Sequence, residues 1–308
     1  MDREIMEYDV VVVGGGPSGL ATAIKFAQLN KQNGTDYSIC LLEKGSEIGA
    51  HILSGNVFQP NALDELIPNW KELNAPLNVP VTKDKIYYLL KNIGIPVPPF
   101  VMPNLNNHGN YVISLGNLCR WLGEQAENLG VEIFPGFPAS KLIFENDEVV
   151  GVQTGDMGVS EKGELKPGHE PGIEIRAKMT ILGEGCRGHL GKQIINKFNL
   201  SEGKDPQHYG IGFKEVWKLK PENHDEGVVI HTNGWPTPDI AAGSYFYHGE
   251  NNEAYIGFVI PLDYKNPHLS PFDEFQRWKT HPSIKKYLIG GERLSYGARA
   301  LILSLIHI

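Results

Sequence analysis

Three glycines near the start of the chain, Gly14, Gly16 and Gly19, stand in the spacing G-x-G-x-x-G within "VVVVGGGPSGLATA". Glu43 follows twenty-four residues after the last of them, closing the apolar run "SICLLE". Much later, "TILGEGCRG" places Gly183, Glu184 and Gly185 after another apolar run. Glycines at this spacing allow a sharp turn, a backbone approach to a pyrophosphate and a close helix–strand contact. A carboxylate ending the next strand accepts hydrogen bonds from ribose hydroxyls. The chemistry on offer is the holding of a dinucleotide whose own ring does the redox work. Ser18 sits in G-P-S-G, not in a G-x-S-x-G elbow, so it reads as a small residue offering a hydroxyl near phosphate. No acid–base pair, nucleophile or metal constellation is visible.

The elements that must position these residues can be read around them. Tyr8–Val13 is a β-branched run suited to a strand buried on both faces. The helix that follows presents free N–H groups to an anion. Val13, Gly14, Gly15, Gly16, Pro17, Ser18 and Gly19 therefore form the expected cofactor turn, and Glu43 and Lys44 its ribose end. An acid at Glu43 favours a ribose without a 2′-phosphate but does not separate FAD from NAD. Gly183, Glu184 and Gly185 follow a buried strand, Lys178–Leu182. By themselves they fit a plain turn at a sheet edge. Beside Gly14–Gly19 and Glu43 they tip the ligand toward FAD, with the acid and backbone amides facing the ribityl and pyrophosphate region. The fold class is α/β: a Rossmann-like, two-nucleotide-binding flavoprotein domain joined to a mostly antiparallel α+β domain.

The rest of the chain is less explicit. Asn61–Leu66 reads as a short helix stopped by Pro68, and Leu115–Leu129 as a helix ended by Gly130. "KDKIYYLLKNIGIPVPPFVMP", Lys83 to Pro103, holds four prolines in its second half and many apolar residues. It fits a loop over the core, or a monotopic membrane contact with Lys85 and Lys91 at headgroup level. Two strands flank a polar turn at Glu145–Glu148. Beyond Asn199 come short strands, "YGIGFKEVWKL", "EGVVIHTNGWP", "AAGSYFYHG" and "EAYIGFVIPLDY", then a helical run with Phe272, Phe275 and Trp278 on one face. Tyr245, Phe246 and Tyr247 fit a tunnel lining or ordinary strand alternation. His231, His248 and His281 fit a proton relay or structural histidines.

Net charge is −8 over 308 residues, with no Lys/Arg run, which argues against nucleic acid. Cys40, Cys119 and Cys186 form no C-x-x-C pair and suit a reducing compartment. "MDREIMEYD" is neither a signal nor a transit peptide, and no apolar run reaches eighteen residues.

Longer motifs carry a resemblance. "GAHILSG", "APLNVPVTKDK", "NNHGNYVISLGNL", "GEGCRGHLGKQ", "YGIGFKEVW", "LDYKNPHLSPFDEFQRWKTHPSI" and "YGARAL" are similar to the electron transfer flavoprotein–ubiquinone oxidoreductase family, from about Tyr8 to Leu301. The resemblance implies a membrane-associated FAD enzyme with a [4Fe-4S] cluster, passing electrons from reduced electron transfer flavoprotein to ubiquinone. It implies a quinone contact at Ala242 and Gly243, where the family has Gly-Gly; Ala242 departs by one methyl group. It places a membrane segment near Ile48–Asn69, beside the 85–103 candidate. The domains expected are 1–80 with 112–200 for FAD and 81–111 with 201–301 for the quinone and membrane side. The tail 302–308, "ILSLIHI", does not match the family and reads as a truncated or frame-shifted end. No cysteine here matches a cluster ligand, so the cluster is expected in a full-length member and not on this chain. The implied location is monotopic, on the inner face of a bacterial cytoplasmic membrane or, in eukaryotic relatives, the mitochondrial inner membrane. A prenyl reductase or monooxygenase-like flavoenzyme, or an inactive fragment of the oxidoreductase, are the alternatives.

Overall fold

The computed structural model describes residues 3–53 and 55–302. The expectation for the tail thus falls outside them beyond Ile302, which ends the strand Glu292–Ile302. The chain divides into two compact units. One runs to Ile52 and resumes over Cys119–Asp205; the other comprises Leu53–Leu118 and the chain from Pro206 onward. The boundaries differ from the expected ones, because residues 53–80 and 112–118 build the second unit. There the strands Asn56–Phe58 and Val79–Pro80 both pair with Tyr111–Ile113.

The first unit is a six-stranded sheet in the order Glu132–Pro135, Ile39–Glu43, Ile5–Val13, Glu174–Leu182, Glu148–Thr154, Ala139–Glu145. The first four strands run parallel. The last two form an antiparallel hairpin turned by Asn146 and Asp147, both at positive φ, as a tight primed turn requires. Val10–Val13 are 0–6% exposed, so the β-branched run is buried on both faces. The helix Pro17–Asn33 covers it with Leu20, Ala23, Ile24 and Ala27 and stops at Gly34, whose left-handed φ of 65° lets its N–H reach Asn30 O. The strand expected at Lys178–Leu182 is longer, Glu174–Leu182. Lys178 and Met179 are exposed on it, and Lys178 Nζ pairs with Asp9 Oδ1 at 2.6 Å.

The second unit is a seven-stranded sheet: Glu292–Ile302, Tyr209–Lys218, Glu253–Pro261, Gly243–His248, Val228–Gly234, Lys83–Leu89, Gly94–Val97. All neighbours are antiparallel except Val228–Gly234 with Lys83–Leu89. One face packs Ile256, Phe246 and Phe258 against Phe275, Trp278 and Ile284 of the helices Pro271–Lys279 and Pro282–Leu288. The other packs Val216, Val229, Tyr247 and Tyr255 against Val79 and Val112 of the small sheet.

Three expectations are corrected here. The stretch 83–103 is not a loop: it contributes the last two strands of the sheet, and Pro96 is tolerated because Gly94–Val97 is the edge strand, where a missing N–H costs no ladder bond. The late helical run is two helices, broken at His281, which caps the second by accepting from Ser283 N. Phe272 is 48% exposed, because it lies in the first turn, where its ring meets Phe213 edge-on.

Candidate functional site

In the first unit the glycine turn is a backbone clamp. Gly14 has φ 108° and donates to Leu42 O at 2.8 Å. A Cβ on Gly14 would overlap the Gly183 carbonyl, and one on Gly19 the Gly14 carbonyl. Gly183 donates to Val13 O at 2.7 Å, and a Cβ there would meet Gly19 Cα at 3.2 Å. Strand, turn, helix and late strand thus meet through backbone alone. Gly16 differs: nothing lies within 4 Å of where its Cβ would stand. It sits at the N-cap with φ −84° and ψ −179°, no side chain caps the helix, and its first turn has no acid. The orphan amides of that turn and the positive end of the helix dipole face open space, which fits a pyrophosphate.

Glu43 stands beside this cradle, with its side chain 13% exposed. Its Oε2 accepts from Gly15 N at 2.8 Å and its Oε1 from Gly45 N at 2.7 Å. A carboxylate offers about four lone-pair sites, so two amides hold Glu43 in place and leave acceptor capacity for ribose hydroxyls. Ile48, which sequence reasoning did not single out, packs its Cδ1 where a Gly15 Cβ would be. Ser18 and Lys44 are exposed.

Glu184 caps a helix: its carboxylate accepts from Leu190 N at 3.2 Å and Gly191 N at 2.9 Å, closing the start of the helix His189–Lys197. That helix has no acid in its first turn, and a Cβ on Gly188 would overlap the Glu184 side chain. The helix N-terminus draws the carboxylate in because it needs an anion. The backbone of Gly183 and Gly185 remains beside the turn, with Gly185 at φ 81° and open space around it. Burial pushes the Cys40 and Cys119 thiols up to about 12, so both stay protonated. Among the described residues no group of three His, Cys, Asp or Glu can hold a metal ion.

In the second unit, Ala242 and Gly243 open the strand Gly243–His248. Ala242 is 5% exposed and its methyl packs in the helix-side core, so its side chain points away from the opposite face. Gly243 is half-buried, and the nearest atom to a Cβ built on it is Thr232 O at 4.0 Å. Tyr245 and Tyr247, on the face of Gly243, stack at 4.5 Å, while Phe246 enters the helix-side core. The three histidines separate. His281 Nε2 meets Leu90 O at 2.8 Å and His248 Nδ1 accepts from Asp225 N at 3.2 Å, both structural. His231 lies on the Gly243 face, with Nε2 2.9 Å from the Tyr247 hydroxyl, and burial lowers its pKa.

Lys214 is the residue on this face that sequence reasoning missed. In "YGIGFKEVW" the alternate positions Ile211 and Phe213 join the helix-side core, which leaves Gly210, Gly212 and Lys214 together on the other face. A lysine in phase with glycines inside an apolar strand was the available signal.

The two membrane candidates differ in their exposed apolar residues. Across 48–69, Leu63 and Ile67 are buried. Around the edge hairpin, Tyr88, Leu90, Ile93, Ile95, Phe100, Val101 and Met102 are all 40% or more exposed, with Phe100 at 82%. Lys91 is exposed; Lys85 is not at such a surface but pairs with Asp225 at 4.0 Å.

Comparison with known proteins follows this geometry. Residues 209–301 match the family described as ETF-QO, ubiquinone-binding, and residues 12–71 match an NAD(P)-binding Rossmann-like domain. The electron transfer flavoprotein-ubiquinone oxidoreductase of Pseudomonas aeruginosa is 57% identical over 98% of this chain and 56% of its own length. The mitochondrial protein of that name from Homo sapiens is 50% identical over 98% of this chain and 49% of its own. The chain therefore spans about half the length of these relatives. Among solved structures, a geranylgeranyl bacteriochlorophyll reductase-like protein from Thermoplasma acidophilum aligns with a TM-score of 0.69 at 18% identity, covering 97% of this chain and 67% of that one. The flavin-dependent brominase Bmp2 aligns with a TM-score of 0.63 at 15% identity, covering 96% and 67%. These likenesses show the fold: a Rossmann-like α/β unit joined to a second, mostly antiparallel sheet.

Proposed function

We propose that this chain, which is 57% identical over 98% of its length to the electron transfer flavoprotein-ubiquinone oxidoreductase of Pseudomonas aeruginosa, binds FAD in its first unit and ubiquinone in its second. The electrons come from reduced electron transfer flavoprotein and leave on the quinone. The observation that carries the reading is the coincidence of the ubiquinone-binding match, 209–301, with the strand that starts at the open Gly243. Bound FAD supplies a redox centre that can exchange electrons with both protein and quinone partners.

The chain's own residues bind and orient. The amides after Gly16 hold the pyrophosphate, and Gly14, Gly19 and Gly183 keep that turn rigid by backbone contact. Glu43, fixed by Gly15 N and Gly45 N, accepts from the ribose. Val13 closes the strand beneath, Pro17 starts the helix without spending a donor, and Gly185 lets backbone approach the cofactor. Gly243 admits a flat ring against the sheet, and Ala242 supports it from the core side.

Contact with a membrane surface is part of the same reading. No described helix is long and apolar enough to cross a bilayer. The apolar side chains from Tyr88 to Met102 instead offer a face for monotopic contact, which suits a lipid-soluble quinone.

The test is direct. The purified chain is denatured and any released chromophore identified by mass; the native chain is then reduced and mixed with ubiquinone while flavin absorbance is followed. FAD near one per chain, reoxidised by ubiquinone, is the expected result. A folded chain that takes up no FAD, or a loaded one that ubiquinone does not reoxidise, refutes the proposal.

A further inference from the structure

On the seven-stranded sheet, registers align Lys214 with Gly257 and Gly257 with Tyr245, and Tyr245 with His231 on the next strand. These four positions form one row across the face that carries Gly243. The Tyr245 ring lies flat over Gly257, where any Cβ would overlap it, and its hydroxyl is aimed toward Lys214. The Lys214 ammonium stands 6.0 Å from the centre of that ring. The adjacent row pairs Gly212 with Val259 and Val259 with Gly243. In it Leu301 and Val259 cover Gly212, while the nearest atom to a Cβ built on Gly243 is Thr232 O at 4.0 Å. Two strand spacings across and two residues along put the Lys214 and Gly243 Cα atoms about 12 Å apart.

Lys214 is an unusual resident of such a face. It is largely buried and donates to one acceptor, Gly55 O, at 3.3 Å. An ammonium carries three donors. Among the described residues no carboxylate pairs with it, and burial alone lowers its pKa. The Tyr245 hydroxyl is buried without a hydrogen-bond partner among the described residues, and so is Nδ1 of His231 across from it. A buried charge without a counter-ion and a buried hydroxyl without an acceptor both cost stability unless something pairs with them.

We propose that Lys214 and the Tyr245 hydroxyl form an oxygen-binding pair that holds the negatively charged oxygen of a quinone-type ring set against Gly243. This rests on the quinone reading above and deepens it: the pair favours the ionised form of the ring over the neutral one. No bond forms or breaks in this step. Both residues are binding residues, and the preference they create is for charge on the ligand oxygen.

The test compares two soluble probes, ubiquinone-1, which is neutral, and a 2-hydroxy-1,4-naphthoquinone, which is an anion at pH 7. Binding to the full chain is read from quenching of tryptophan fluorescence. The anion is expected to bind about tenfold more tightly than the neutral ring, the size of one charge-assisted hydrogen bond. Lys214→Met is expected to abolish that preference. Lys214→Arg is expected to keep it, and Tyr245→Phe, which retains the stacked ring, to reduce it about threefold. An equal affinity of the native chain for both probes, or a preference that survives in a folded Lys214→Met chain, overturns the inference and leaves the quinone reading standing. A native, folded chain that binds neither probe overturns the quinone reading and the inference with it.

Discussion

Two substitutions of the same size at the opening turn should fail in different ways. At Gly16 an added methyl enters space that is empty for 4 Å, on a backbone with φ −84° and ψ −179° that any L-residue adopts. Gly16→Ala should gain about 0.4–1 kcal/mol from a stiffer unfolded chain, offset by a few tenths at the N-cap, so the melting temperature should move by less than about 3 °C. The methyl would nevertheless stand where a pyrophosphate must meet the first-turn amides. Losing one hydrogen bond to a charged group costs about 1.5–3 kcal/mol, or roughly a 10- to 100-fold weaker affinity for FAD. At Gly19 the methyl would overlap the Gly14 carbonyl, backbone against backbone, with no flexible atom to yield. Gly19→Ala should cost about 3 kcal/mol and lower the melting temperature by roughly 6–12 °C, with or without FAD. Melting curves of the cofactor-free chain and flavin-fluorescence titrations separate the two effects. If Gly16→Ala binds FAD within about twofold of the unsubstituted chain, the open space above Gly16 is not the phosphate site.

The remaining expectations concern stability, reactivity and membrane contact. With both thiols pushed up to about 12, Cys40 and Cys119 should carry about one thiolate in ten thousand at pH 8, so Cys186 should take up iodoacetamide first in the folded chain, as peptide mass mapping would show. Burial pushes His248 down to about 3, so between about pH 6.5 and pH 3 the unfolded chain binds a proton that the folded one does not. Stability should therefore fall as pH falls, by about 2 kcal/mol at pH 5, and His248→Gln should flatten that slope in urea titrations run at several pH values. The Glu215 carboxylate, 2% exposed, is held by Lys279 at 2.8 Å and Arg293 at 3.4 Å, so Lys279→Met should lower stability by about 3 kcal/mol in urea unfolding, while Arg293→Met, at the longer distance and 43% exposed, should cost less. Replacing Phe100 and Ile93 with serine should cut co-sedimentation with phosphatidylglycerol–phosphatidylcholine vesicles several-fold without changing the melting temperature, since both side chains are exposed; unchanged sedimentation would move the membrane contact elsewhere.

The parts of this molecule that local chemistry dictates were readable before any coordinates. A β-branched run, a G-x-G-x-x-G turn and an acid at the end of the next strand locate the turn and Glu43, because each residue type there answers a backbone need. The hairpin at Asn146 and Asp147 was readable for the same reason. What escaped were consequences of long-range pairing. Pro96 looks like a loop residue until its strand proves to be the edge of the sheet. Residues 53–80 look like a continuation of the cofactor domain until Asn56–Phe58 and Val79–Pro80 pair with Tyr111–Ile113. In each case the residue's chemistry was read correctly, and its partner was set by distant chain.

Lys214 illustrates how a partnerless polar group should be weighed. Being unsatisfied is not enough by itself: His248 Nε2 and Gln276 Nε2 are also buried without partners among the described residues, and they lie on the helix-covered side of the same unit. His248, however, is enclosed by the rings of His224, Phe246 and Tyr287 at 4.9–5.3 Å, which leaves no room for a ligand. Its burial is accommodated by staying neutral, which its low pKa permits. On the other face the space over Gly243 is open, and the same face carries a lysine flanked by a hydroxyl without a partner among the described residues. A neutral imidazole in a filled core costs stability and does nothing else. A cation beside an opening can lower the free energy of whatever electron-rich group fills it, by an amount that grows as that group gains negative charge. The same orphaned status therefore signals packing on one side of the sheet and binding on the other, and the open space over Gly243 decides which.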